Sequence, residues 1–230
     1  MTDTRIRAIV FDAGHTLLET DYPRVTEYLR ARGHEVDEVS VVAAERRARM
    51  RLDVEQASQP TRERTGQGRY VRFLLEALGI DDDDERRALA EWRRAFNVPI
   101  GLCHRADPEA ARALQRARDA GLAAGVISNS NGSVQRALEE AGLGVHLDFV
   151  LDSTVVGVAK PDPRIFAIGL EAAKTRAEET VYVGDSYFVD VVGARRAGWG
   201  AVLFDPGRVW PKRECPVAAG LCSAVALCLA

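Results

Sequence analysis

The sequence predicts an α/β fold in which a parallel sheet is interrupted, after its first strand, by an inserted helical unit. Three observations lead there. Short apolar runs rich in β-branched residues alternate with helix-patterned segments. Polar or acidic residues stand just past the ends of several of those runs. The alternation then fails over one long stretch near the N-terminus.

Residues 6–11 read as a buried strand, apolar on both faces. Further strands are expected at 122–127, 149–151, 180–183 and 201–204. Helices are expected between them at 108–120, 133–141, 163–174 and 189–197. Asp107 is the expected N-cap of the first of these, with Pro108 at its first position. Gly121, Gly142 and Gly198 mark helix ends. Strands alternating with helices of this length argue a parallel sheet. Asp12, Ser128 and Asp185 each follow a strand, at the edge where open α/β sheets bind ligands.

Residues 20–99 contain no strand-like run. Val71, Leu74, Leu75 and Leu78 follow helical spacing, as do Leu89, Trp92 and Phe96. Residues 23–32 and 38–57 also read as helices. The expected division is therefore a core of 1–19 and 100–230 and a helical insertion of 20–99. The acidic run 81–84 lacks the spaced ligands and glycine of a calcium loop. It precedes a helix, where acids oppose the positive end of the dipole, and is read as a helix start. The apolar tract 217–230 has 14 residues, too short to span a bilayer, and reads as a helix packed on the core.

Apolar residues make up 47% of the chain and charged residues 28%, an ordinary globular balance. A net charge of −3 gives no footprint for nucleic acid or an anionic membrane surface. Cys103, Cys215, Cys222 and Cys228 form no C-x-x-C pair, and the N-terminal residues have no signal-peptide pattern. Reduced thiols in a cytoplasmic protein, monomer or homodimer, are expected. Lysine is scarce: Lys160, Lys174 and Lys212 are the whole complement.

Four stretches stand in order along the chain: VFDAGHTL with Asp12, GVISNS with Ser128, VAKPDPRIF with Lys160, and VYVGDSYFVD with Asp185 and Asp190. A carboxylate at a strand tip can attack phosphorus and divide one displacement into two. Cations must then offset its repulsion from a phosphate dianion, and preorganised donors stabilise the transferring group. Together the four stretches resemble the motifs of the haloacid dehalogenase-like (HAD) superfamily, and the insertion resembles that superfamily's C1-type helical cap. The resemblance implies a Rossmann-like core and a Mg²⁺-dependent phosphatase acting on a small phosphorylated metabolite through an aspartyl-phosphate on Asp12. It implies Ser128 and Lys160 as catalytic and substrate-binding residues, with Asn129 adding a hydrogen bond to substrate. Asp12, Asp185 and the backbone carbonyl of Gly14 are the implied metal ligands. Asp190, to orient Lys160 or a metal-bound water, is an implied supporting residue, with Thr16 and His15.

One position departs from the family pattern. Family phosphatases carry an acid two residues after the nucleophile, and here that residue is Gly14. General acid–base help is worth about 10²–10⁴-fold in rate. Family dehalogenases expel halide without a proton, but they replace the Gly-Asp of the last motif, which GDSYFVD keeps. Phosphonoacetaldehyde hydrolases need a cap lysine, and residues 20–99 contain none. Two alternatives to an efficient phosphatase therefore stay open: a 2-haloacid dehalogenase-like hydrolase, and a catalytically weak phosphate-binding protein on the same fold. His15, a cap residue or a good leaving group could replace the lost acid. In the insertion, Arg62, Arg64 and Arg69 are the arginines best placed to face a site, the others reading as a solvated helix face.

Overall fold

The structure, a computed structural model, describes residues 5–58, 67–96 and 100–229. The chain divides into two compact units, Met1–Glu19 with Cys103–Ala230, and Thr20–Leu102. In chain order the strands and helices begin with β1 (Ala8–Phe11), β2 (Leu18–Thr20), α1 (Tyr22–Ala31), α2 (Glu38–Ser58), α3 (Gln67–Ala77) and α4 (Asp83–Ala95). There follow β3 (Cys103–Ala106), α5 (Ala110–Asp119), β4 (Ala123–Ser128), α6 (Val134–Glu140), β5 (Phe149–Asp152), α7 (Ser153–Val156) and α8 (Pro163–Ala173). The chain continues through β6 (Thr180–Gly184), a π-helical stretch (Tyr187–Val192), α9 (Gly193–Arg196), β7 (Gly200–Phe204), β8 (Val217–Ala218) and α10 (Leu221–Leu229).

The larger unit is built on a six-stranded sheet of order β5-β4-β1-β6-β7-β8, each pairing parallel. β1 lies between β4 and β6, with Phe11 opposite Val126 on one side and Val183 on the other. All four of its residues are buried, which is why the run AIVF shows no alternation. Val10, Ile127, Phe166, Tyr182, Trp199 and Leu203 pack in one core cluster on this sheet. The register brings residues just past Phe11, Val126 and Val183 to one edge, so Asp12, Ser128 and Asp185 end up as neighbours despite their separation in sequence.

The smaller unit is helical. Pro23 opens α1, and the Asp21 carboxylate accepts from the Arg24 amide at 3.3 Å. Asp82 caps α4 by accepting from the amides of Asp84 at 2.8 Å and Glu85 at 3.1 Å, so the acidic run is a helix start. Val25, Leu29, Val41, Val71, Leu74, Leu75 and Leu89 form the core, and Trp92 stacks on Tyr28. Buried Glu45 is satisfied by the Tyr22 and Tyr70 hydroxyls, each at 3.1 Å, and by Arg49 at 2.8 Å. Arg51 pairs with Glu76 at 2.9 Å and Arg69 with Glu55 at 3.6 Å, while Arg62 and Arg64 lie outside the described residues.

Three local expectations are revised, and one strand pair was not expected. The helix expected over 189–197 is a π-helical stretch running into short α9, with the Val191 amide reaching back five residues to the Ser186 carbonyl. Asp107 accepts from the Glu109 amide at 2.7 Å and caps a turn before α5, which starts at Ala110 rather than Pro108. The tract 217–230 begins as β8, paired with β7, before α10. The β2–β3 pair carried no signal, because LET and CHRA have no apolar alternation. Among the described residues no helix is long and apolar enough to cross a membrane.

Leu75 is fully buried among the helices of the smaller unit. Leu75→Ala is expected to destabilise that unit by about 2–5 kcal/mol, read from its urea unfolding transition.

Candidate active site

The site is assembled by the C-terminal ends of β1, β4 and β6. Asp12 follows β1, and its amide donates to the Val183 carbonyl at 2.8 Å, which extends the ladder one residue and fixes where the carboxylate starts. Asp12, Asp185 and Asp190 each offer a carboxylate oxygen, and these oxygens lie within 4.8 Å of one another. Lys160 enters from the loop before α8. Its ammonium donates to Asp12 Oδ1 at 2.7 Å and to the Tyr182 hydroxyl at 2.6 Å, and it lies 2.8 Å from Asp190 Oδ1. The Lys160 side chain is 2% exposed, so this is a buried charge cluster rather than a surface ion pair.

Burial pushes the Asp12 carboxyl up to about 6, against the opposing pull of Lys160 and with a further push from Asp190. For Lys160, burial pulls downward, but Asp12, Asp190 and Tyr182 hold the ammonium well above its ordinary value. The lysine is therefore a fixed cation at neutral pH.

Asp190 reaches the cluster because of two features. The π-helical winding brings its Oδ2 within 3.0 Å of the Ser186 amide, which donates to it. Gly184 leaves room: a Cβ there would overlap the Asp190 carboxylate. The glycine of GDS is thus required by a close approach and not by its backbone angles.

Ser128 ends β4 and is buried. Asn129 forms a two-way clamp on Lys160, its Nδ2 donating to the Lys160 carbonyl at 2.9 Å and its Oδ1 accepting from the Lys160 amide at 2.8 Å. The amide expected to reach substrate is engaged with the lysine backbone. Gly14 lies past Asp12 with an ordinary backbone conformation, and a Cβ built on it would meet just Cys103 Sγ, at 3.7 Å. His15 takes the left-handed conformation at φ 62°. Thr16 is buried, and its Oγ1 has no hydrogen-bond partner among the described residues.

Three side chains escaped the sequence reading. Tyr182 sits inside a strand run and read as core; its hydroxyl donates to the Ile127 carbonyl at 2.7 Å while accepting from Lys160. Asp152 ends β5 and accepts from the amides of Gly132 at 2.9 Å and Thr154 at 2.9 Å, tying down the loop after Ser128. Trp210 donates from its indole to the Asp185 carbonyl at 3.1 Å. An acid past the end of a strand was a usable signal for Asp152; the other two carried none.

The family described as haloacid dehalogenase-like hydrolase matches residues 6–198. The chain is 39% identical over 149 residues to the phosphoserine phosphatase of Thermus thermophilus, covering 64% of this chain and 56% of that relative's length. It is 31% identical over 211 residues to haloacid dehalogenase-like hydrolase domain-containing protein 3 of Bos taurus, covering 86% and 82%. Among solved structures it resembles a HAD-hydrolase from Bacillus subtilis bound to magnesium, with a TM-score of 0.70 over 97% of this chain and 99% of that one. At 19% identity that likeness is one of fold.

Gly184→Ala is expected to force the Asp190 carboxylate out of the cluster and destabilise the larger unit by about 1–3 kcal/mol, measured as a fall in Tm against wild type.

Proposed function

Because the chain belongs to the haloacid dehalogenase-like hydrolase family, we propose that it is a Mg²⁺-dependent phosphatase of a small phosphorylated metabolite, working through an aspartyl-phosphate on Asp12. The carrying observation is the buried cluster at the sheet edge, three carboxylates with oxygens within 4.8 Å of one another and one ammonium 2.7 Å from Asp12. Relatives named as phosphatases support the reaction class.

The donor set fits a hard divalent cation. Its oxygens are the ligands Mg²⁺ prefers, and three carboxylates against one ammonium leave two formal negative charges to balance. We assign Asp12, Asp185 and the Gly14 carbonyl as its ligands, and Asp190, held by Lys160 and the Ser186 amide, as support. When bound, the ion supplies the positive charge that lets a phosphate dianion approach a carboxylate.

The chain's own residues then divide the work. Asp12 forms a bond to phosphorus as the ester oxygen departs, and water later releases phosphate and restores the carboxylate. Lys160, fixed and charged, faces the transferring group, and the Ser128 hydroxyl donates to it. Asn129 acts through Lys160 by clamping its backbone. Gly14 cannot protonate the leaving oxygen, so we propose a preference for esters whose leaving group needs no proton, with His15, next to Gly14 in the sequence, as a candidate donor. A dehalogenase would also tolerate Gly14, but halide displacement has no use for the retained acids of GDSYFVD. We assign residues 20–99 the role of a cap that selects substrate, and place the protein in the cytoplasm as a monomer or homodimer, consistent with four free cysteines.

Since Asp12 holds its proton up to about pH 6, cation binding must displace that proton below this value. Mg²⁺ affinity measured by titration calorimetry is expected to fall about fourfold from pH 7.5 to pH 5.5, and Asp12→Asn to weaken it by about tenfold or more at either pH. The missing acid can be restored, because Gly14 has space and unstrained backbone angles. Gly14→Asp is expected to raise kcat on alkyl phosphates by about tenfold or more and to change aryl phosphates by less than about threefold. An equal effect on both would count against proton supply as the limiting feature, and an unchanged His15→Ala on alkyl phosphates would remove His15 as the donor.

A further inference from the structure

We propose that Tyr182 is a positioning residue that fixes the direction of the Lys160 ammonium and ties it to the strand carrying Ser128. The proposal rests on the phosphatase reading for its kinetic consequence, but its structural core is independent of that reading.

The Lys160 ammonium donates to two acceptors, Asp12 after β1 and Tyr182 in β6, and lies 2.8 Å from a third group, Asp190 in the π-helical stretch, as an ion pair. The two carboxylates supply charge. Tyr182 supplies direction, because its own hydroxyl is spoken for. The hydroxyl donates to the Ile127 carbonyl at 2.7 Å, so its lone pairs and not its proton face the lysine. Ile127 directly precedes Ser128 in β4. The chain of hydrogen bonds from Nζ through the phenol to that carbonyl therefore locks the lysine to the strand that presents the serine.

The ring itself does not need the hydroxyl. It is fully buried and packs edge-on to Phe166, with centroids 5.7 Å apart, and near Trp199. Phenylalanine would keep that packing and remove the oxygen alone. With Asn129 holding the backbone of Lys160 and Tyr182 its tip, the side chain is fixed at both ends. Loss of the phenol leaves one N–H of a buried ammonium without an acceptor, and the lysine then samples other rotamers.

The scarcity of lysine makes this measurable without turnover. Lys174 and Lys212 are exposed and their ammonium protons exchange rapidly with water, whereas Lys160 is buried. In the full chain labelled with ¹⁵N-lysine, the persistent ammonium signal is expected to be Lys160, absent in Lys160→Met. In Tyr182→Phe its proton exchange is expected to accelerate by about tenfold or more. Alongside, kcat is expected to fall about tenfold with KM within about twofold, since binding survives and alignment does not. An unchanged exchange rate overturns the proposal, whether or not kcat or Tm falls. Altered exchange with kcat unchanged also overturns it. Should wild type turn over no phosphate ester, the exchange rate alone decides the positioning and the phosphatase reading is what fails. Should Tyr182→Phe not fold, 3-fluorotyrosine at position 182 keeps the shape and both hydrogen bonds while weakening the phenol as an acceptor. The Lys160 ammonium signal is then expected to shift, and an identical signal overturns the proposal.

Discussion

A buried ammonium and two buried carboxylates define this molecule. Alone, any of Lys160, Asp12 or Asp190 would be expensive to bury. Together they satisfy one another at 2.7 and 2.8 Å, and the cost of separating them is what holds their elements in place. The sheet order makes the meeting possible. With β1 between β4 and β6, positions 148 residues apart in sequence lie within hydrogen-bonding distance, and the parallel pairing delivers each strand end to the same edge.

Around the charges stands a layer of side chains whose partners are mostly backbone. Asn129 holds the Lys160 main chain, Asp152 collects amides from the loop after Ser128, and Trp210 holds the Asp185 carbonyl. Trp210 is itself placed by Asp205, whose carboxylate accepts from the amides of Val209 and Trp210, each at 3.0 Å. Loops past strand ends have no ladder to hold them, so polar side chains supply the missing hydrogen bonds. Buried charged side chains that must stay aligned gain more from such bracing than from further charges.

The strands and long helices were legible because their signals are local. Apolar β-branched runs with no alternation can lie only inside a sheet covered on both faces, and the spacing of Val71, Leu74 and Leu75 suits a helix alone. Asp12 stood out because an acid ending a buried strand needs a partner. What escaped was non-local. The role of Tyr182 depends on a carbonyl 55 residues away and a lysine 22 residues away, and nothing within VYVGD distinguishes its hydroxyl from that of any core tyrosine. The π-helical stretch escaped for a related reason. Its winding accompanies the contacts of Asp190 with Ser186 and Lys160, which are not local signals, while the pattern of FVDVVGARR is that of an ordinary helix.

Gly14 and His15 form an inverted pair, and the inversion bears on what the departure from the family pattern means. Glycine is favoured where φ is positive, yet Gly14 has an ordinary backbone conformation and open space for a Cβ, while His15 next to it carries φ 62°. No backbone constraint explains the glycine, and the histidine costs about 1–2 kcal/mol of local strain that a glycine would avoid. The turn after Asp12 thus carries a glycine where there is room for a side chain, and an imidazole in a conformation that glycine would adopt more readily. Both positions follow Asp12, whose carboxylate is held with Lys160 and Asp190 in the buried charge cluster. On the proposed phosphatase reading, Gly14 bears on the leaving group alone, because the buried cluster of Asp12, Lys160 and Asp190 is complete.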